Sequence, residues 1–171
     1  MKLKSMTYIS IMSVIIAICA WLTVPAAVPF TMQTFGVFFA LLFLGGKRGT
    51  YAIALYLLLG AVGIPVFSGF SGGIGHLFGP TGGYILGFIL TGIIYMIFEH
   101  FFKKSLKNSV LSLILGLVAC YIFGTIWFSV YKGNMSFWSA LSVCVIPFII
   151  PDLLKLALSV ILYKRLKKAS F

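Results

Sequence analysis

Residues 143–162, VCVIPFIIPDLLKLALSVIL, place an acid and a base, Asp152 and Lys155, inside an otherwise apolar run of membrane-span length. A charge in hydrocarbon costs at least about 2.5 kcal/mol unless it is paired or faces a polar cavity, so such residues usually mark a ligand or ion site. Positions three apart on a helix lie about 60° around its axis, so both heads point the same way. Two interpretations stay open: a neutralised pair that fixes helix register, and a binding site, which the rarity of such pairs favours.

The composition around this stretch is that of an integral membrane protein. Of 171 residues, 61% are hydrophobic and 9% are charged, whereas about a quarter of the residues in a soluble domain are charged. Spans of about 20 residues allow six helices in this length and leave no room for a soluble catalytic domain. The apolar runs are continuous rather than alternating, which disfavours strands. We therefore predict one all-α membrane domain, a compact bundle of six transmembrane helices.

Helix breakers divide the chain into the predicted spans. These are residues 6–24, 33–45, 49–64, 81–102, 109–130 and 139–163. Pro25 follows the first, Gly45-Gly46 the second and Pro65 the third, as expected of residues that end or interrupt helices. The second and third spans are short for a full crossing. The first lacks a clear cleavage site and must orient five others, so we expect it to remain rather than be removed as a signal peptide.

Basic residues are distributed asymmetrically about these spans. One side of the predicted bundle receives Lys2, Lys4, Lys47, Arg48, Lys103, Lys104, Lys107, Lys164, Arg165, Lys167 and Lys168, and the other side receives Lys132. The positive-inside rule then predicts that both termini are cytoplasmic. The net charge of +11 thus reflects topology signals and candidate contacts with anionic membrane lipids rather than a nucleic-acid surface.

Small residues recur at every fourth position in several spans, a pattern that lets membrane helices approach closely. The stripes are Ser13 and Ala17, Gly83 and Gly87, and Ser112, Gly116, Cys120 and Gly124. We interpret them as packing seams within the bundle in preference to partner surfaces. Cys19, Cys120 and Cys144 lie within spans and lack disulfide or metal-ligand spacing, so we expect packing roles and no metal site.

The connection between the third and fourth spans, residues 65–84, is rich in glycine and yet contains Phe67, Phe70 and Phe78. A flexible linker is not normally this aromatic. Such a loop predicts an extracellular lid, in which glycines allow tight turns and aromatic faces cover an apolar ligand. It has neither Walker nor GxGxxG spacing, so this chain is not expected to bind or hydrolyse ATP.

Two polar residues are expected on the same side as this loop. His76 lies within the loop, where a lone histidine is more often a solvated or hydrogen-bonded bystander than a functional group. Gln33 begins the second span, where its amide suits either a polar ligand head or a helix-end contact. Pro147 and Pro151 disturb the helix that carries Asp152, and broken backbone in a membrane is tolerated beside protein or a wet cavity. An outward-open pocket could therefore reach Asp152.

Three stretches carry a resemblance to a known family. They are VPFTMQTFGVFFALLFLGGKRG at 28–49, LYLLLGAVGIPVFSGFSGGIGHLFGPTGGYILGF at 55–88, and PFIIPDLLK at 147–155. Together they resemble the biotin-specific substrate-binding subunits, BioY, of bacterial energy-coupling factor vitamin transporters. The resemblance implies a six-helix S-component fold, a biotin site near the outer face, and association with a transmembrane coupling subunit and two ATP-binding-cassette ATPases in the bacterial plasma membrane.

The resemblance also implies roles for particular residues. Asp152 would accept the ureido N–H groups of biotin, Lys155 would pair with Asp152 and a ligand oxygen, and Phe67, Phe70 and Tyr84 would pack on the rings. The remaining residues that match the two glycine motifs are Ser68, Ser71, Gly72, Gly73, Thr81, Gly82 and Gly83. The first-helix alanine motif through which S-components often meet the coupling subunit is matched at best by Ser13 with Ala17.

Three functions follow from these residues as alternatives. The leading one is biotin capture for a complex in which partner subunits use ATP, with no catalytic cofactor in this chain. The second is facilitated uptake of biotin by this chain alone. The third is a small membrane enzyme with Asp152 as acid or base, which the lack of a nucleophile beside a base disfavours.

Overall fold

The structure is a computed structural model that describes residues 3–25, 29–133 and 135–169. Eight α-helices account for most of it: α1 (Leu3–Trp21), α2 (Gln33–Leu44), α3 (Gly46–Ala61), α4 (Ile74–Leu77), α5 (Gly82–Phe101), α6 (Leu106–Tyr131), α7 (Phe137–Cys144) and α8 (Ile146–Ala169). A two-stranded antiparallel ribbon joins β1 (Thr23–Val24) to β2 (Phe30–Thr31). A short 3₁₀ turn covers Ser68–Phe70.

Four of the described helices are long and apolar enough to cross a membrane: α1, α5, α6 and residues Ile146–Lys168 of α8. Their outer faces are apolar as well, for example at Ile11 and Val14 of α1 and at Leu158 and Ile161 of α8. A helix that is apolar on every side suits a lipid environment. The prediction of an all-α membrane protein is confirmed at this level.

Two local predictions need correction. The predicted span 139–163 is not one helix, because the chain breaks between α7 and α8 at Val145. Pro147 lies in the first turn of α8, where its missing N–H is not needed for the helix, whereas Pro151 lies inside the helix. The predicted span 6–24 is too long at its end, because α1 ends at Trp21 and Thr23–Val24 form β1 of the ribbon.

The core packs through the small residues that the sequence singled out. A Cβ atom added to Gly116 of α6 would lie 2.7 Å from Cγ2 of Thr91 on α5, and one added to Gly124 would lie 2.2 Å from Cδ1 of Tyr84. The backbones of α5 and α6 can therefore meet only where these residues lack side chains. The stripe on α6 is a packing seam within the chain.

The stripe on α1 is buried in the same way, while a partner interface there stays a prediction. Ser13 is 1% exposed and Ala17 is 4% exposed. Both side chains therefore pack against the chain's own helices. The exposed face of α1 is formed instead by larger residues such as Val14 and Ile18.

The bundle has two chemically different ends. At the end that carries the basic residues, Glu99 of α5 accepts a hydrogen bond from the N–H of Gly46 at 2.6 Å and pairs with Lys104 at 2.9 Å. At the opposite end, indole N–H groups hold the loop between α3 and α5. Trp21 donates to the carbonyl of Pro65 at 2.8 Å, and Trp127 donates to that of Gly79 at 2.9 Å.

Candidate ligand-binding site

Asp152 and Lys155 form a buried ion pair about two turns into α8. Nζ of Lys155 lies 2.8 Å from Oδ1 of Asp152, and the two residues are 5% and 3% exposed. Their separation of three residues brings both heads to the inward face of the helix, as predicted. Charges this deeply buried are costly unless further hydrogen bonds satisfy them, so the surroundings of the pair decide whether it is stable.

Two hydroxyl groups complete the environment of the Asp152 carboxylate. Thr34 of α2 donates to Oδ1 at 2.8 Å, and Tyr121 of α6 donates to Oδ2 at 2.6 Å. With Lys155, three donors from three helices converge on one carboxylate. Hydrogen bonds to an ionised acceptor are about twice as strong as neutral ones, so this set holds the Asp152 carboxylate in a fixed orientation.

Lys155 is held on its other side by one aromatic ring of the connection between α1 and α2. Its Nζ lies 4.2 Å from the centroid of the Phe30 ring, within the range of a cation–π contact. Phe30, in β2, stacks in turn on Phe148 of α8 with 6.0 Å between ring centroids. The ribbon therefore lies directly against the ion pair.

Gln33 is fixed by two side-chain hydrogen bonds at the start of α2. Its Nε2 donates to the hydroxyl of Tyr56 at 2.6 Å, and Oε1 accepts from the hydroxyl of Thr31 at 2.9 Å. The two bonds hold the amide in place, and among the described residues one N–H of Nε2 has no side-chain acceptor. Gln33 thus presents a preset polar edge beside the ion pair.

These groups meet in a cavity of about 70 Å³ at the loop end of the bundle. Its polar lining comes chiefly from Asp152, Lys155, Gln33, Thr31, Thr34, Tyr121, Ser68 and Thr81. Its apolar lining comes from Pro29, Tyr84, Ile85, Phe88, Leu117, Cys120, Cys144 and Phe148. The arrangement offers a charged pair at one wall and rings and aliphatic groups around it, which suits a largely apolar molecule with a polar head.

Six of the residues predicted to bind ligand therefore share this cavity. They are Gln33, Ser68, Thr81, Tyr84, Asp152 and Lys155. Tyr84 is oriented by a hydrogen bond of 3.1 Å between its hydroxyl and that of Thr125. Their convergence from four separate segments supports the prediction of one site, while direct ligand contact stays a prediction for each.

The two predicted ring-packing phenylalanines lie away from the cavity. Phe67 is completely buried, edge-on to Tyr56 and stacked on His76 with 5.3 Å between centroids. Phe70 is 64% exposed and stacks on Trp21 at 5.1 Å. Phe67 therefore anchors the loop to the bundle, whereas Phe70 covers its outer surface.

The remaining predicted residues shape the loop and the start of α5. Ser71 donates to the carbonyl of Ser68 at 2.7 Å. Gly72 and Gly82 allow the backbone to pass the carbonyls of Ile64 and Leu77, and Gly83 packs on Trp127. Gly73 has a φ of 93°, which favours glycine. In this structure Ser71, Gly72, Gly73, Gly82 and Gly83 do not line the cavity, and their contact with ligand stays a prediction.

His76 is part of the same loop framework. Its Nδ1 lies 3.1 Å from the hydroxyl of Ser71, while Nε2 is buried without a hydrogen-bond partner. Burial lowers the pKa of His76 below its ordinary value, because a charged ring would lose hydration there. These contacts agree with a hydrogen-bonded structural residue.

Sequence reasoning missed Thr34, Tyr121 and Phe30. Thr34 and Phe30 lie in the stretch quoted for its resemblance, and Tyr121 is a hydroxyl-bearing residue within an apolar span. A buried carboxylate needs donors, so polar residues inside other spans were the available signal. Nothing in the sequence showed which of them would face Asp152.

A helical membrane bundle with a buried ion pair, whose carboxylate accepts three hydrogen bonds beneath loops, defines a membrane-embedded binding protein for a small molecule. The particular family follows from comparison with known proteins: the model of the BioY family matches residues 1–170, and the chain belongs to that family.

Individual relatives agree over nearly the whole chain. The "Probable biotin transporter BioY" of Pyrococcus horikoshii is 39% identical and covers 98% of both chains. The "Biotin transporter BioY" of Thermotoga maritima is 38% identical and covers 92% of both. A crystal structure of the S-component for biotin from an ECF-type ABC transporter superposes with a TM-score of 0.84 at 29% identity, covering 96% of this chain and 91% of that one. These comparisons confirm the resemblance seen in the sequence. They also confirm the prediction that the chain is a transport protein and not an enzyme.

Proposed function

We propose that this chain captures biotin from outside the cell and delivers it to an ATP-driven energy-coupling factor transporter. The observation that carries the proposal is the buried pair of Asp152 and Lys155, which lines a cavity at the loop end of a BioY-family bundle. The names of the relatives supply the ligand, and the chemistry of the cavity supplies the recognition.

The cavity is complementary to the parts of biotin. The ureido group combines N–H donors with a carbonyl acceptor, so the Asp152 carboxylate accepts from its N–H groups and the Lys155 ammonium donates to an oxygen of the ligand. The fused rings pack against Tyr84 and against Phe148, both of which line the cavity. The carbonyl and free amide N–H of Gln33 add further polar contacts.

Ligand entry requires the cavity to widen. Its volume of about 70 Å³ is well below the ~300–1,000 Å³ of ordinary small-molecule pockets. The β1–β2 ribbon and the loop that contains Ser68 and Thr81 both contribute to its lining. We propose that these two segments separate to admit biotin and close on it, with Phe30 moving relative to Lys155.

We further propose that six helices lie in the membrane, with both termini cytoplasmic and the loop between α3 and α5 outside. Four helices meet the length of a full span, and α2 and α3 would complete the six. At 12 and 16 residues and 1.5 Å per residue, they reach about 18 and 24 Å, short of the ~30 Å hydrocarbon core. The basic residues at one end support this orientation in a bacterial plasma membrane.

Energy for concentrative uptake comes from partners in this proposal. The related solved structure is described as part of an ECF-type ABC transporter, and this chain has no phosphate-binding loop. A transmembrane coupling subunit and two ATPases would therefore complete the transporter. Biotin uptake by cells that contain this chain and lack the ATPases would instead assign facilitated uptake to this chain alone.

The binding function is tested by calorimetric titration of the detergent-purified chain with biotin, and with thiamine and riboflavin as unrelated vitamins. We expect saturable binding of biotin alone, and its loss in Asp152→Asn, which cannot accept at both carboxylate oxygens. Thermal unfolding establishes that the variant is folded. Absence of biotin binding by the folded wild-type chain would reject the assignment.

Tyr121→Phe is expected to weaken biotin binding about tenfold or more without preventing folding. The substitution removes the 2.6 Å donor to Oδ2 of Asp152, and a hydrogen bond to a charged group contributes about 1.5–3 kcal/mol. The matched control is Tyr51→Phe, because Tyr51 is 45% exposed on α3. Equal biotin affinity in the two variants would show that Tyr121 does not orient the carboxylate for the ligand.

A further inference from the structure

A second cavity lies at the basic end of the bundle, far along α8 from Asp152. Its volume is about 450 Å³, and it is bounded by the C-terminal ends of α2 and α5, the start of α6 and the last turns of α8. Neither the ion pair nor the loop between α3 and α5 contributes to it. The cavity therefore belongs to a different site from the proposed biotin site.

The charge of this cavity is strongly positive. Lys103, Lys104, Lys164 and Lys167 line it, and Glu99 is its acidic side chain. Glu99 is already engaged by Lys104 at 2.9 Å and by the N–H of Gly46 at 2.6 Å. The other acid in the sequence, Asp152, pairs with Lys155. No acidic side chain in the described part of the chain thus neutralises Lys103, Lys164 or Lys167.

Further positive potential comes from the beginning of α6. This helix has 26 residues and starts at Leu106, which lines the cavity. Ser105 caps the N–H of Asn108 at 3.2 Å, and the remaining amides of the helix start carry a partial positive charge that attracts anions. Asn108 and Ser109 add polar side chains to the same wall. The helix start adds to the positive potential of the lysines, which attract anions even without it.

The mouth of the cavity is aromatic and apolar. Phe43 and Phe102 line it and are 41% and 53% exposed. They adjoin the apolar outer faces of the helices, where Phe101 is 75% exposed. An anionic group among lysines with an apolar chain against these rings is the chemistry of a lipid at the membrane boundary. A free anion would leave the aromatic mouth uncovered.

We propose that this cavity binds the headgroup of one anionic phospholipid of the inner leaflet. The phosphate lies between Lys164, Lys167 and the start of α6, and an acyl chain follows Phe43 and Phe102 into the bilayer. The bound lipid joins α2, α5, α6 and α8 at the end of the protein that is opposite the proposed biotin site. This site is independent of which vitamin the chain carries.

The test uses the full chain in mixed bilayers of phosphatidylglycerol and phosphatidylcholine, with retained lipid measured by native mass spectrometry after extraction. We expect selective retention of one phosphatidylglycerol. Lys164→Gln together with Lys167→Gln is expected to lower its affinity about 25-fold, since a lysine near an anionic membrane surface contributes about 1 kcal/mol and 1.4 kcal/mol is tenfold. The matched control, Lys47→Gln with Arg48→Gln, removes the same charge at exposed positions at the same end outside the cavity.

Several results would overturn the proposal. Equal retention of phosphatidylcholine by the wild type would remove the charge selectivity, and this comparison requires no variant to fold. Equal loss in both double variants would indicate a diffuse surface effect. Displacement of the lipid by millimolar inorganic phosphate would assign a free-anion site. Exclusion of lipid by an added coupling subunit, with complex formation lost in the Lys164 and Lys167 variant, would assign the cavity to a protein partner.

Discussion

Lys155→Met is expected to destabilise the protein by about 3–5 kcal/mol and to abolish measurable biotin binding. Removing the ammonium leaves the Asp152 carboxylate, 3% exposed, as a buried charge without its counter-ion. Breaking a buried pair from one side costs this much because the remaining charge is not compensated. Thr34 and Tyr121 would still donate to it, so folding survives with lowered stability. Thermal unfolding in detergent and calorimetry measure the two effects.

Combining Lys155→Met with Asp152→Asn separates the two roles that the sequence left open for the pair. The double variant buries no isolated charge, and replacing a whole buried pair is often neutral or stabilising. We expect most of the lost unfolding free energy to return while biotin binding stays absent. Recovery of wild-type affinity would mean that the pair fixes helix register only. Continued instability of the double variant would contradict the electrostatic explanation of the single one.

The sequence was sufficient to predict that Asp152 and Lys155 pair with each other, because charged residues inside an apolar run are rare and costly unless they are paired. The hydroxyl donors to the carboxylate were not predictable. Thr34 is 118 residues away from Asp152 along the chain, and Tyr121 is 31 residues away. Which polar residue meets the carboxylate depends on how α2, α6 and α8 rotate against one another. That rotation is fixed by packing across the whole bundle, which no single stretch encodes.

The glycine-rich loop shows a similar limit at shorter range. Its aromatic content predicted a lid over an apolar ligand, which stays a prediction, and Phe67 and Phe70, three residues apart, face opposite environments. Between them Gly69 has a φ of 67°, and Phe70 itself has a φ of 55°. These left-handed conformations reverse the chain direction. In a helix or strand periodicity assigns faces, but an irregular turn has no period from which to read them.

The small-residue stripes were the more reliable pattern, because close helix packing has a local sequence requirement. Ser13 and Ala17 nevertheless illustrate that a stripe of small residues does not identify which helix packs against it. The same pattern fits a neighbouring helix of the chain and a separate subunit equally well. Both residues are buried within the bundle, and their contact with a coupling subunit stays a prediction.

Gly124→Ala is expected to reduce biotin affinity about 10- to 100-fold by displacing Tyr84. The added Cβ would lie 2.2 Å from Cδ1 and 2.4 Å from Cε1 of that ring. Both are far inside van der Waals contact, and the ring is held by its hydroxyl contact with Thr125 at 3.1 Å. Overpacking of this kind costs about 1–3 kcal/mol. Because Tyr84 lines the proposed biotin cavity, its shift changes the cavity as well as the seam.

Gly116→Ala is the matched control, since it adds the same methyl group to the same face of α6. Its Cβ would lie 2.7 Å from Cγ2 and 2.9 Å from Cα of Thr91, and neither Gly116 nor Thr91 lines the cavity. We expect comparable losses of thermal stability in the two variants, with biotin affinity reduced in Gly124→Ala alone. Equal affinities would show that Tyr84 serves helix packing without shaping the ligand site. A loss of affinity in both would mean that the whole α5–α6 seam, rather than one ring, sets the geometry around Asp152.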